Sequence, residues 1–303
     1  MKTNSARLLT TSEASNEGSF TVLDWSLFLS MSLIWGSSFL LIAVGLDSFS
    51  PGLVTWLRVG LGAAALWLVP KARTVRIEAA DWPRLFTLSV LWVAIPFTLF
   101  PIAQQYINSA VAGMLNGATP IFTAVIAVAL LKRLPGRRTV LGLIVGFVGV
   151  IAISLPSIGE GSAEALGIAL VVIATLCYGL SLNLAAPIQQ RYGSIPVMAR
   201  LLALATVWTA PLGIVSTADS TFAWESFIAV AVTGVLGTGI AFVLFGSLLG
   251  RVGSIRASFI TYLIPVVAVI LGVLVLSDDV TPMAVIGTVL ATIGAVLAGS
   301  RST

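Results

Sequence analysis

Ten stretches of apolar residues, separated by short polar connections, fill the chain from residue 23 to residue 300. They run approximately 23–45, 51–70, 85–104, 108–131 and 138–156, then 165–186, 196–216, 226–248, 254–276 and 283–300. Each is near the roughly 20 residues that a helix needs to cross the hydrocarbon core of a bilayer. Pro51, Pro70, Pro156, Pro187, Pro196 and Pro282 mark their ends, where a missing amide hydrogen costs least or a helix must stop. Trp25, Trp82, Trp224, Tyr106 and Tyr192 lie near the same boundaries, as interfacial aromatics do.

The connections alternate in charge. Lys2 and Arg7 precede the first run; Lys71, Arg73, Arg76 and Arg84 lie between the second and third; Lys132, Arg133, Arg137 and Arg138 lie between the fourth and fifth. Arg191 and Arg200, then Arg251 and Arg256, and finally Arg301 continue the series. The intervening connections carry Asp47, no charge, Glu160 with Glu164, Asp219 with Glu225, and Asp278 with Asp279. Basic residues collect on the cytoplasmic side of membrane proteins, so the expected threading crosses the cytoplasmic membrane ten times with both termini inside. Residues 1–22 are then a cytoplasmic tail and 157–164 an extracytoplasmic linker. The tail is too long and too acidic for a signal peptide, so the first run is expected to remain as a span.

Composition agrees. Hydrophobic residues make up 58% of the 303 and charged ones 9%, with a mean hydropathy of +1.06, against about 25% charged in soluble domains. The net charge of +4 sits at run ends facing one leaflet, where anionic headgroups attract it. Membrane lipids and a small-molecule substrate are therefore the expected partners, nucleic acid is not, and a homodimer is admitted. The single cysteine, Cys177, rules out an internal disulfide.

The two halves repeat. At a constant offset of 145, residues 89–156 slide onto 234–301 and match Val90 to Val235, Ile95 to Ile240, Phe97 to Phe242 and Phe100 to Phe245. Ser109 then falls on Ser254, Pro120 on Pro265, Gly142 on Gly287 and Gly149 on Gly294. Five runs per copy is an odd number, which forces the second copy to enter the membrane from the opposite side. The fold class is thus an all-α integral membrane protein of ten transmembrane helices in two inverted five-helix repeats, 23–156 and 165–301, as in many secondary transporters.

Candidate chemistry lies near the midplane. Pro120 and Pro265 cannot donate to the carbonyls of Asn116 and Thr261, which then line a wet cavity or are satisfied by neighbouring helices. The prolines are candidate hinges. Arg58 is the one formal charge deep in a run, either facing an internal cavity, or snorkelling to an interface or bracing backbone carbonyls; Arg200 is open to the same roles. Trp35, Gly36, Ser37 and Ser38 answer to Tyr178, Gly179 and Ser181, with Asn183 following, a mix that suits either a ligand or close helix packing. Tyr262 joins them. Gly142, Gly146 and Gly149, and Gly287, Ala291 and Gly294, are spaced for helix contact. The chain has no histidine, no buried carboxylate pair and no metal-ligand cluster, so no catalytic residue, metal or cofactor is expected.

Trp35-Gly36-Ser37-Ser38-Phe39, Pro51 with Arg58, the run from Ser109 through Ala112 to Pro120, and its copy from Ser254 to Pro265 together resemble the EamA family of the drug/metabolite transporter superfamily. The resemblance implies a ten-helix inverted-repeat permease for amino acids, metabolites or drugs, often working outward, with a cavity lined by spans one, three, four, six, eight and nine. Members often place a glutamate after the fourth and ninth spans; here Arg133 and Asp278 stand near those places. The expected mechanism is alternating access, with Arg58 attracting a carboxylate or phosphate and Trp35, Ser38, Asn116, Tyr178, Asn183, Thr261 and Tyr262 forming the rest of the site. A lipid flippase of the same fold, a membrane-embedded transferase and a non-transporting packing partner are the competing readings.

Overall fold

A computed structural model describes residues 20–132, 136–154, 162–276 and 281–299. Among them none pairs into a strand, and helices satisfy their own backbone groups without help from lipid. The expected roles of the tail before residue 20, of Arg133, Glu160, Asp278, Asp279 and Arg301, and of most of the 157–164 linker lie outside the described residues.

Helix α1 (Val22–Leu46) opens on a capping box. The Asp24 amide donates to Thr21 Oγ1 at 3.3 Å and the Thr21 amide donates to the Asp24 carboxylate at 2.9 Å, satisfying two donors that a helix start otherwise leaves orphaned. Pro51 begins α2 (Pro51–Trp67) and Pro70 begins the short α3 (Pro70–Thr74). Next, α4 (Trp82–Leu88) passes through a π-helical turn, Ser89–Ala94, into α5 (Ile95–Ala103). A 3-10 turn, Asn116–Ala118, separates α6 (Ser109–Leu115) from α7 (Thr119–Leu131). The chain continues as α8 (Arg137–Ser154), α9 (Ser162–Tyr192) and α10 (Ser194–Val215). A second π-helical turn, Val235–Ile240, joins α11 (Trp224–Gly234) to α12 (Ala241–Ser258), and α13 (Ile260–Leu271) and α14 (Pro282–Gly299) follow. A third π-helical turn, Gly272–Leu276, follows α13; under the offset of 145 the first two fall within one residue of each other.

Among the described residues six helical runs are long and apolar enough to cross a membrane: Val22–Leu46, Ala79–Ala103, Ser109–Leu131, Ala163–Tyr192, Ser194–Val215 and Trp224–Ser258. The shortest has 22 residues, about 33 Å at 1.5 Å per residue, against a hydrocarbon core of about 30 Å. Two boundaries differ from expectation. Pro187 does not close its run but stays inside α9, which ends at Gly193 with φ 78°. Gly253, also at φ 78°, turns the chain inside α12. A left-handed backbone reverses a helix more decisively than a proline, and glycine takes it without steric cost.

Small residues set the closest approaches. A methyl group added to Gly294 of α14 would lie 2.6 Å from the Gly146 amide nitrogen and 2.7 Å from the Gly142 carbonyl of α8, so these glycines pack helices. One added to Gly179 would meet the Phe122 and Thr123 backbone at 2.8 Å. Gly36 abuts Val267 in the same way. Both glycines of the paired aromatic motifs therefore serve packing.

Candidate functional site

The same device positions the central charge. A methyl on Gly234 would lie 2.8 Å from the Arg58 carbonyl, and one on Gly62 would lie 2.8 Å from the Gly234 carbonyl. Their absence lets α2 lie directly on the start of the second π turn. There Thr238 Oγ1 donates back five residues to the Thr233 carbonyl at 3.0 Å and accepts from Arg58 Nε at 2.9 Å. The guanidinium carbon stands 4.1 Å from the Phe97 ring centroid, a cation–π distance. Arg58 is only 6% exposed. Among the described residues, no hydrogen bond reaches its two terminal nitrogens.

Arg58 lines a cavity with an inner space of about 60 Å³. That is room for a few waters, each needing roughly 10–15 Å³ of such space. Its lining draws on α1 (Trp35, Ser38, Phe39, Ile42), α2 (Arg58), the first π turn with α5 (Trp92, Phe97, Phe100), and the 3-10 turn with α7 (Asn116, Thr119). From the second half come α9 (Tyr178, Leu182), α12 (Phe242, Phe245) and α13 (Thr261). Each of the six spans named by the family resemblance contributes, and α2 adds the charge. Among the described residues no carboxylate lines it.

Aromatic rings form one wall. Trp35 donates through Nε1 to the Gly237 carbonyl at 3.0 Å and meets Phe242 edge-on, with centroids 5.8 Å apart. Phe242 lies 5.3 Å from Trp92 and 5.6 Å from Phe97, and Tyr178 stacks on Phe100 at 6.0 Å. The hydroxyls of Ser38 and Thr261 are already turned back to the carbonyls of Ile34 and Ser258. At the 3-10 turn the Thr119 hydroxyl donates to the Asn116 carbonyl at 2.8 Å. The carbonyl expected to be released by Pro120 is therefore claimed by its own turn, a correction that a proline rule alone misses because it ignores the neighbouring threonine. The side-chain Nδ2 of Asn116, the indole Nε1 of Trp92 and the Tyr178 hydroxyl have no hydrogen-bond partner among the described residues.

Of the residues singled out in the sequence, Trp35, Ser38, Arg58, Asn116, Tyr178 and Thr261 come together here. Asn183 and Tyr262 do not. Asn183 is fully buried, donating to the carbonyls of Thr123 and Gly179, both at 2.9 Å, and accepting from the Ser254 hydroxyl at 3.0 Å; it ties α7, α9 and α12 together. Tyr262 stacks on Phe259 at 6.1 Å and lies against Gly146. Pro120 and Pro265 are buried one turn from the cavity residues Asn116 and Thr261. Arg200 braces the connection after α3, donating to the carbonyls of Ala72 at 2.8 Å and Val75 at 2.7 Å. Sequence reasoning passed over Trp92, Phe97, Phe100, Thr119, Thr238, Phe242 and Phe245. A signal existed for four of these: the repeat pairs Phe97 with Phe242 and Phe100 with Phe245, and paired residues converge wherever a two-fold relation puts them near its axis.

A polytopic helical membrane protein enclosing a polar-ended, aromatic-walled cavity defines a class of carriers. Its membership is specific: the chain belongs to the EamA-like transporter family, whose model matches residues 25–155 and again 165–300. An uncharacterized transporter of Archaeoglobus fulgidus is 25% identical over 270 residues, covering 89% of this chain and 96% of that protein. A probable terminal-alkyne amino-acid exporter of Streptantibioticus cattleyicolor is 25% identical over 283 residues, covering 92% and 93%. One solved crystal structure superposes with a TM-score of 0.71 at 18% identity, covering 91% of this chain and 96% of that one, a likeness of fold.

Proposed function

We propose that this protein carries a small solute with a carboxylate group, such as an amino acid, a related metabolite or a drug-like acid, outward across the cytoplasmic membrane. Ten crossings in two inverted five-helix repeats, 23–156 and 165–301, alternately expose the central cavity to either side, and the termini lie in the cytoplasm with the basic connections. The doubled family match and the two π turns in near register support the repeat. One observation carries the substrate class. Among the described residues, a buried guanidinium keeps two terminal nitrogens unpaired beside a cavity whose lining also carries the unpartnered Asn116 Nδ2, Trp92 Nε1 and Tyr178 hydroxyl, and no carboxylate. A planar carboxylate offers two acceptors at the spacing of that fork, and its charge offsets the cost of burying the cation. The aromatic wall takes an apolar body. Among the described residues the lining holds no acid–base pair and no nucleophile with its base, which supports binding and release without bond chemistry. Pro120 and Pro265 act as bends on which the repeats rock.

Counterflow in proteoliposomes tests this. Amino acids with apolar side chains should exchange, and their carboxamide analogues should not. Arg58→Ala should weaken solute binding by on the order of a hundredfold, the scale of a truncated buried charge pair, while the protein still purifies as a monodisperse species. Equal binding of acid and amide by the wild type would overturn the proposal.

A further inference from the structure

A second pocket, of about 520 Å³, opens on the basic side, where α9 ends and α10 begins against α12. Nothing in the transport cycle uses it. Four observations converge there. The 22-residue helix α10 starts at Gly193, in the left-handed region, with no side-chain cap. Among the described residues the amides of Ser194 and Ile195 have no hydrogen-bond partner, and the next residue, Pro196, has no amide hydrogen. Both uncapped residues line the pocket. Such a helix start favours an anion through its aligned dipoles and free N–H groups.

Gln189 supplies an independent sign. It is 3% exposed and lines the same pocket, yet neither Nε2 nor Oε1 has a hydrogen-bond partner. A buried amide with both ends unsatisfied is costly and calls for a polar occupant. Gly246 lets that side chain lie close against α12: a methyl there would lie 2.9 Å from Gln189 Oε1. Lys71, an exposed cation with no ion pair among the described residues, completes the rim beside Arg251, which also pairs with Asp24 at 2.6 Å. The Ser247 hydroxyl donates to the Val243 carbonyl at 2.7 Å and keeps its lone pairs.

We propose that this pocket is a phosphate site, taking the group either from the headgroup of an anionic phospholipid or from a soluble phosphate ester. Basic pockets between transmembrane helices on the cytoplasmic side suit such headgroups. The occupant joins Lys71 of the first half to α9, α10 and α12 of the second.

The test is thermal unfolding of the purified, delipidated full chain, followed by its tryptophan fluorescence. Titrated phosphatidylglycerol should raise the midpoint saturably, as a ligand of the folded state does, and phosphatidylcholine should raise it far less. Lys71→Glu should weaken the apparent affinity on the order of tenfold, the scale of reversing one basic contact. Arg73→Glu, an equal charge change outside the pocket, should leave it unchanged. Gln189→Leu should abolish the lipid-dependent shift without lowering the midpoint of the lipid-free protein; a merely structural glutamine would leave the shift intact. Inorganic phosphate and glycerol 3-phosphate, added without lipid, separate the sources: a saturable shift assigns the site to a soluble ester, and no shift beside a strong lipid effect assigns it to the headgroup. Equal weakening by Lys71→Glu and Arg73→Glu, or wild-type titrations in both pocket variants, would overturn the proposal.

Discussion

Among single residues, the molecule separates polar groups that fasten helices from polar groups whose donors are left unpaired among the described residues. Asn183 belongs to the first kind: its amide spends both oxygen and nitrogen on three helices. Asn183→Ala should therefore lower the unfolding midpoint, with a cost of roughly 1–2 kcal/mol for interhelical hydrogen bonds, while the solute affinity of the folded fraction stays at the wild-type value. Calorimetry on the solubilised protein and a binding titration would read the two separately. Arg58 belongs to the second kind and was legible in the sequence, because a charge deep in an apolar run has few roles open to it. Its neighbour Thr238, 180 positions away, carried no such mark. A threonine in a membrane helix usually bonds to its own backbone, and only the π turn and the close approach at Gly62 and Gly234 turn its oxygen toward a cation.

Helices and turns are governed by glycine and by interrupted hydrogen bonding. The α8–α14 pair touches backbone to backbone at Gly142, Gly146 and Gly294, so Gly294→Leu should push the helices apart and destabilise the fold by about 1–3 kcal/mol, the usual range for overpacking. A fall in the yield of monodisperse protein, with no change when Leu297 on the exposed face of α14 is replaced by valine, would show it. The 3-10 turn at Asn116–Ala118 and Pro120 beyond it lie where the fourth run reaches the cavity. Pro120→Ala restores an amide donor and stiffens that bend, so turnover should fall while binding is largely retained; unaltered transport would remove the hinge. Proline positions and glycine spacing were visible in the sequence. The π turns were not, because an extra residue in a helical turn leaves no trace in an apolar pattern.

Across the whole molecule the two ends of the halves are joined by different chemistry. On the basic side Arg191 meets Glu78 at 2.5 Å and Asp81 at 2.8 Å, and Arg251 meets Asp24. At the opposite end the links are neutral: the Ser50 hydroxyl donates to the Ser216 carbonyl at 2.8 Å, and the Ser226 hydroxyl to that of Val44 at 2.8 Å. Neither set is buried with the cavity, and the chain has no histidine. No carboxylate or imidazole stands among the described residues that line the cavity, so on the proposed alternating-access reading none of them is a ready proton carrier. Transport should then proceed as facilitated diffusion or exchange, unchanged by a protonophore in liposomes with an imposed pH gradient. Accumulation above equilibrium that collapses on adding the protonophore would refute this.

The sequence alone determined the membrane class, the repeat and the charge at the centre, because each rests on a local cost: apolar length, proline or glycine at fixed spacing, or a cation in hydrocarbon is expensive wherever it occurs. Which residues share the cavity was decided only by the tertiary structure. Six of the eight site candidates met there, and Asn183 and Tyr262 turned to other helices, because a side chain's direction depends on how each helix is rotated and bent against its neighbours. That rotation is set by contacts between residues far apart in the chain, which no local pattern records.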